Sequence, residues 1–281
     1  MPEHYEVKRI RSYLEDGGIE GEKITDFEAL PGAEKILKNG TLARWKGWLV
    51  GEKILSIAIK AKYTFIQLER GALVWHYRFT GIPHIRGFDY KRRLDTIFNL
   101  PVLKSSKNYC RFRIHFRNGK ILDYLDIRCL STVRYFPDTR IDALAIFQKL
   151  APDLTHFSPR SFTEWEKGVK RRRRDIKREL QDQFTAPSGI GNYLACEILA
   201  RAKLSPWLSL PAVSPTEYDA LCRGIGAVRE LCENRTDYRW FTVFNRSRCM
   251  RCNETIDRRK HRPHAASQTT HYCPNCQNLR K

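Results

Sequence analysis

Ser188-Gly189-Ile190-Gly191-Asn192-Tyr193-Leu194-Ala195-Cys196-Glu197-Ile198-Leu199 joins a two-glycine turn to an apolar segment that continues to Lys203. Glycine permits backbone conformations and close ligand approaches that a Cβ forbids, and Asn192 has the short polar side chain that caps a helix start. The pattern predicts a helix from Asn192 to Lys203 whose first N–H groups, unpaired within the helix, form a ready phosphate site. A glycine turn before a helix is more often a plain connection, so the flanking sequence has to decide between the two.

Upstream, Phe162 to Gln183 has helical periodicity and contains Lys170 to Arg178, seven cations and one acid in nine residues. Such a run is either a solvated face or a contact with a polyanion. Downstream, Ser214, Pro215 and Glu217 supply an S-x-x-E capping box for a further helix. Beyond that stand Cys249-x2-Cys252 and Cys273-x2-Cys276, two knuckles separated by 20 residues. Each knuckle points two thiolates at one centre, and together they close a four-sulfur shell that leaves no position for substrate. The implied cofactor is one structural zinc. Nine Lys/Arg and two acids lie between Arg246 and Lys281, so this finger is basic as well as rigid.

The whole chain shares that bias. Its 281 residues carry 51 Lys/Arg against 31 Asp/Glu, a formal net charge of +20. An excess of that size calls for an anionic partner, a nucleic acid before an anionic membrane surface. No signal peptide or transmembrane-length apolar run is visible, which gives the expectation of a soluble intracellular protein. The five cysteines outside the knuckles, Cys110, Cys129, Cys196, Cys222 and Cys232, lie in apolar or helical contexts and read as reduced, buried thiols.

The first half has a different texture. Val7, Ile10 and Leu14 recur at helical spacing, predicting an amphipathic helix from Pro2 to Leu14. Leu55 to Phe65 alternates apolar and polar residues and reads as one half-buried strand with Lys60 and Lys62 on its open face. Cys110 to Phe116 alternates likewise, meets Asn118-Gly119, and returns through Ile121 to Leu125 as a hairpin. Pro152, Ser158 and Pro159 mark a boundary. The expected organisation is residues 1–149 as an α+β domain, 150–161 as linker, 162–240 as a helical domain and 241–281 as the finger.

Five pieces of this chain, in order, carry a resemblance. They are Met1-Pro2-Glu3 with Glu6-Val7; Ala61-Lys62-Tyr63; Ile176-Lys177-x-x-Leu180-x-Asp182-Gln183 followed by Ser188 to Leu199; Ala202-x-Leu204-Ser205-Pro206; and Cys273-Pro274-Asn275-Cys276-Gln277. The chain resembles the formamidopyrimidine-DNA glycosylase / endonuclease VIII family, over most of its length. That resemblance implies a fold of N-terminal helix plus two-layered β-sandwich, then a helix-two-turn-helix domain and a four-cysteine zinc finger, with DNA in the cleft between. It implies a monomer acting on damaged DNA as a bifunctional glycosylase and abasic-site lyase, without a membrane, in whichever compartment holds the DNA.

The implied roles fall on particular residues. After removal of Met1, Pro2 would present a free secondary amine as nucleophile, its pKa lowered by the positive end of the first helix. Glu3 would be the acid–base group, Lys62 would complete the catalytic set at a phosphate, and Glu6 would border the base pocket. Asn192, Lys177, Arg128 and Gln268 would contact DNA. Arg78 and Phe79, within Trp75 to Gly81, resemble the loop that fills the gap left by a flipped nucleotide; the other reading of Phe79 is a buried strand residue.

Three departures shape the expectation. Asp126-Ile127-Arg128-Cys129-Leu130-Ser131 lacks the second arginine and the aromatic residue of the family loop. The finger's phosphate-binding arginine falls on the neutral Gln268, with Arg262 or His271 as candidate substitutes. Only 56 residues separate Asn192 from Cys249, a span that looks short for a base-capping loop. The endonuclease VIII-like branch, with oxidised pyrimidines and hydantoins as substrates and β,δ-elimination as the strand-cleaving step, is therefore favoured. The alternative is a non-catalytic zinc-containing nucleic-acid-binding protein on the same scaffold.

Overall fold

Residues 2–88, 109–169, 171–185, 187–260 and 268–277 are described by the computed structural model of the chain. They divide into two compact units, Met1–Leu150 and Ala151–Lys281. Met1, Lys170 and Arg262, which the sequence singles out, lie outside the described residues. Among the described residues, no helix is long and apolar enough to cross a membrane.

The first unit begins with α1 (His4–Asp16), whose buried stripe of Val7, Ile10, Tyr13 and Leu14 follows the spacing read in the sequence. The helix starts at His4, so Pro2 and Glu3 precede it. Among the described residues of this unit, nine strands form two sheets. One is β1 (Ile24–Ala29), β7 (Cys110–Phe116), β8 (Ile121–Asp126) and β6 (Gly81–Ile85), in that spatial order. The other is β2 (Leu37–Lys38), β9 (Thr132–Pro137), β5 (Gly71–His76), β4 (Tyr63–Leu68) and β3 (Ile54–Lys60). All pairings are antiparallel except β2 with β9. Short helices α2 (Ala33–Ile36) and α3 (Leu42–Leu49) join the early strands.

The sheets are two faces of one core. Trp75 of β5 meets Tyr124 of β8 edge-on at 5.5 Å, and Tyr124 stacks on Phe112 of β7 at 4.7 Å. The far side of the β5 sheet is covered too: Phe65, Ala72 and Val74 pack with Ile141, Leu144 and Leu150 beside α4 (Ala145–Lys149). Burial on both faces explains why β5 has no exposed residue.

The hairpin read at Asn118-Gly119 is present: β7 pairs with β8, and Gly119 takes a φ of +80°. The cations on its open face are engaged rather than merely solvated. Arg113 bridges Asp123 and Glu28, and His115 meets Glu28. The single strand expected from Leu55 to Phe65 is instead the hairpin of β3 and β4, reversing at Ala61-Lys62. Ala61 accepts a φ of +56°, a left-handed conformation normally left to glycine. The turn carries Lys62 into a buried position, and a separate register shift between Ile54 and Ser56 leaves Leu55 exposed.

In the second unit the helix expected from Phe162 to Gln183 is broken into α5 (Phe162–Val169) and α6 (Ile176–Leu180). Asp175 caps α6 by accepting the Arg178 N–H, which ends the intervening arginine run. α7 (Asn192–Ala202) and α8 (Pro215–Asn234) follow, the latter with the expected capping box at Ser214 and Glu217. They cross closely: a Cβ on Gly224 would sit 2.8 Å from the Ile198 carbonyl. Last comes the hairpin of β10 (Asp257–Lys260) and β11 (Thr269–Tyr272).

Glu197 of α7 locks this unit. Its buried carboxylate accepts the backbone N–H groups of Thr242, Val243 and Phe244 at 2.6, 2.9 and 2.8 Å. Truncation leaves three donors without an acceptor in a closed interior, where each costs about 1–3 kcal/mol. Glu197→Ala is expected to destabilise the chain by about 3 kcal/mol or more in urea unfolding; a change under about 0.5 kcal/mol would show the carboxylate to be dispensable.

Candidate functional site

The start of α1 concentrates ionisable groups in a way surfaces do not. Glu3 is its N-cap, and Glu3 and Glu6 form a reciprocal capping box, the Glu3 N–H donating to Glu6 Oε2 at 2.7 Å. Both carboxylates are buried, as is Pro2. Lys62, carried in by the β3–β4 turn, is buried beside them. His4 ties helix to turn: its Nδ1 lies 3.2 Å from the Ala61 carbonyl. Burial pushes the Lys62 ammonium below its ordinary pKa, while the charges of Glu3 and Glu6 work against that shift and Arg78 adds to it. A lysine with a depressed pKa against two carboxylates is a proton-handling arrangement.

His76 adds to this corner; it lies within the Trp75 to Gly81 stretch, where the sequence reading gave it no role. Burial first, then Arg78, Lys62 and Arg134, hold its pKa down at about 3, so the ring is neutral. Its Nδ1 is buried and has no hydrogen-bond partner. An unpartnered imidazole nitrogen influenced by three cations suits an anion or its ester oxygen.

Two loops of the same unit are stapled together by Asp126. Its buried carboxylate accepts the Thr80 hydroxyl from one loop, and the Arg128 N–H at 3.1 Å, the Ser131 N–H at 2.8 Å and the Ser131 hydroxyl from the other. Arg78 at φ +52° and Cys129 at φ +49° make the sharp bends. Phe79 stands on the first loop with 42% of its surface exposed, and is no buried strand residue. The Arg128 guanidinium lies 5.5 Å from its ring centre. Leu130, which the sequence reading treated only as a loss, is exposed on the second loop.

In the second unit, Gly191 and not Asn192 occupies the N-cap of α7, and Asn192 is the first helical residue. Its amide faces the finger: Nδ2 donates to the Thr269 carbonyl at 2.9 Å, while Oδ1 accepts from Lys177 Nζ at 2.8 Å. Lys177 also donates to Thr270 Oγ1 at 2.6 Å and is fully buried, so its route to a ligand runs through Asn192. The preceding turn is held by Gln183, which accepts the Gly189 N–H and donates to the Ile190 carbonyl. Gln268 accepts from Gln181 Nε2 at 2.6 Å. His271 is buried, and its Nδ1 accepts the Asn245 N–H, so it does not replace a surface cation.

The four knuckle sulfurs lie within 4.8 Å of one another. Three of the sulfur–sulfur separations, 3.3, 3.5 and 3.9 Å, compare with about 3.8 Å for sulfurs on a tetrahedron with Zn–S bonds of about 2.3 Å. The donor set therefore fits a tetrahedral metal closed to substrate. Cys249 and Cys273 pack against Cys196 and Ala200 of α7. Gln277 accepts the Cys273 N–H and donates to the Leu204 carbonyl, tying the second knuckle to the end of α7. A separate cavity of about 460 Å³ under α5 and α8, lined by Trp165 and Tyr218, contains none of these residues.

Comparison with known proteins gives a consistent set of relatives. A model of the formamidopyrimidine-DNA glycosylase N-terminal domain matches residues 1–133. The formamidopyrimidine-DNA glycosylase of Pelotomaculum thermopropionicum is 30% identical over 302 residues, spanning 100% of both chains. That of Carboxydothermus hydrogenoformans is 28% identical over 299 residues, with 99% of this chain and 100% of the relative covered. Among solved structures, Lactococcus lactis Fpg in complex with abasic-site DNA superposes with a TM-score of 0.79 at 22% identity, covering 98% and 99% of the two chains. MutM in complex with DNA containing carbocyclic 8-oxo-G gives the same TM-score, identity and coverage.

Asp126 is the residue whose loss the loop geometry makes most visible. Asp126→Ala strips four donors of their acceptor, and the two loops should loosen together at a cost of about 2–4 kcal/mol. Limited chymotrypsin digestion should then cut after Phe79 several-fold faster than in the parent chain; equal rates would mean the loops do not depend on the carboxylate.

Proposed function

The chain belongs to the formamidopyrimidine-DNA glycosylase family, and on that premise we propose that it excises oxidised bases from DNA and then cleaves the abasic strand, with Pro2 as the nucleophile. The observation that carries this reading is the buried set of Glu3, Glu6 and Lys62 around the start of α1, directly after Pro2. With Met1 removed, the Pro2 nitrogen sits at the positive end of a 13-residue helix, which disfavours its protonated form.

The Pro2 nitrogen lone pair forms a bond to the sugar C1′, the glycosidic bond breaks with its electrons leaving on the damaged base, and the proton released from the Pro2 nitrogen passes to that departing base. Glu3 donates a proton to the ring oxygen O4′ as the C1′–O4′ bond opens, leaving an iminium between Pro2 and C1′. That iminium withdraws electrons, so a base can remove the C2′ proton. The 3′ phosphate leaves by β-elimination, and a second proton loss expels the 5′ phosphate by δ-elimination. Water then hydrolyses the iminium and frees Pro2. Lys62 and the neutral His76 hold a phosphate beside the reacting sugar, and Lys62 returns protons to Glu3.

Unit two contributes backbone contacts. Asn192 offers its amide and the N–H groups of the α7 start to a phosphate, and Lys177 fixes the orientation of that amide from behind. Phe79, backed by Arg78 and Arg128, enters the stack where the flipped nucleotide stood. Cys249, Cys252, Cys273 and Cys276 hold one structural zinc, which supplies folding energy and no chemistry. The short span between Asn192 and Cys249 leaves little length for a loop over the base. It favours substrates of the oxidised pyrimidine and hydantoin type, compact lesions that need less cover.

Borohydride treatment of the protein with an abasic or oxidised-pyrimidine duplex should trap one covalent protein–DNA adduct per chain, and acetylating the N-terminal nitrogen should abolish it. Binding without trapping would instead favour a non-catalytic DNA-binding protein. Separately, the purified chain should contain one zinc. Its removal by a chelator should lower the melting temperature and weaken duplex binding at least tenfold; retention of both by metal-free protein would refute a metal-dependent finger.

A further inference from the structure

The finger hairpin poses a charge problem. Gln268, where a phosphate-binding arginine is expected, is neutral and engaged with Gln181. His271 is spent on the Asn245 N–H. Yet the side of the hairpin that bears Gln268 also bears Thr270, bonded to Lys177, and Tyr272, packed against Trp207 at 4.8 Å. Directly opposite Thr270 across the β10–β11 ladder stands Arg259.

Arg259 differs from its basic neighbours. Arg258 turns its guanidinium back to the Arg246 carbonyl. The Arg259 guanidinium instead lies over two rings, 5.8 Å from the centre of Trp207 and 5.3 Å from that of Tyr272. The two rings, set at 86° to each other, hold the cation in place while 61% of its side chain stays exposed. Its one carboxylate contact, Asp257 Oδ2, is long at 3.5 Å, and that oxygen also accepts the Tyr272 hydroxyl at 2.8 Å. An exposed pair of that length is weak and yields to a better anion. A guanidinium placed against these two rings and more than half exposed is suited to contact with phosphate oxygens.

We propose that Arg259, placed against Trp207 and Tyr272 and paired with Thr270 beside the Lys177–Asn192 contact, is the finger's phosphate-binding cation and takes over from the position just before β11 held by Gln268. The inference rests on the DNA glycosylase reading above. It assigns Arg259 a sequence-independent role in affinity, since a backbone contact reads no base. Trp207 and Tyr272 act through it by holding its position.

Equilibrium binding of the full-length, zinc-replete chain to a duplex with one reduced abasic site, measured across a salt series, tests this. Arg259→Gln should weaken binding on the order of tenfold and lower the slope of log K against log salt by about one. Adding Gln268→Arg to that variant should restore both. A loss of affinity with an unchanged salt slope would overturn the proposal, because it would trace the effect to structure and not to a phosphate contact. Unchanged binding by Arg259→Gln would overturn it as well. Failure of the parent chain to bind this duplex would instead sink the glycosylase reading, and the proposal with it.

Discussion

One contact organises the first unit: the start of α1 is fastened to the β3–β4 turn, with His4 on the Ala61 carbonyl and Lys62 closed in beside Glu3 and Glu6. A buried ammonium is costly unless anions accompany it, and two buried carboxylates are costly unless cations and N–H groups do. Each group here is tolerable only because the other is present. The helix cannot slide along its axis without stranding Lys62, and the turn cannot relax Ala61 out of its left-handed conformation without withdrawing the lysine. The β-sandwich behind, with Trp75, Phe112 and Tyr124 interleaved, supplies the rigidity that keeps such a set together.

The second unit achieves rigidity by a different route. α7 is the hub: Glu197 holds the 242–244 segment, Gly224 lets α8 approach, and the knuckle cysteines pack on its outer face. Its first residue, Asn192, is therefore placed by everything the helix touches. Lys177 then orients the Asn192 amide without itself reaching the surface. A buried cation of this kind adds a positive potential behind the amide while the amide makes the contact.

Much of this was legible in the sequence, for reasons that can be named. The Asn118-Gly119 hairpin, the Ser214 capping box and the two C-x2-C knuckles are local patterns whose geometry is fixed within a few residues. The failures share a cause as well. Ala61-Lys62 carries no turn residue, so alternation appeared to run through it, and the reversal there is imposed by tertiary packing. Arginine is a good helix former, so helical periodicity carries through the run from Phe162 to Gln183 despite Gly168 and Asp175. It is broken because Arg172 and Arg174 turn inward to Glu179 and Asp182, and Asp175 caps the next helix. His76 could not have been found, because its significance lies wholly in which cations the fold brings to it.

Those arginines also change what the net charge means. A count of +20 suggests a broad electropositive coat, but several of its cations are committed internally: Arg86 and Arg113 to Asp123, Arg172 and Arg174 to Glu179, Lys177 to Asn192 and Thr270. A cation whose partner is a buried carboxylate releases little of the counterion atmosphere of a polyanion, because its field is already largely cancelled. Among the described residues, two of the cations presented outward are held against rings: Arg128 beside Phe79, and Arg259 beside Trp207 and Tyr272. Ring-supported guanidinium groups lose less conformational freedom on meeting a phosphate than free lysines do, so a small number can substitute for many. The excess charge is in this sense partly structural, and the anion-binding capacity belongs to those cations that the fold leaves exposed and already aimed.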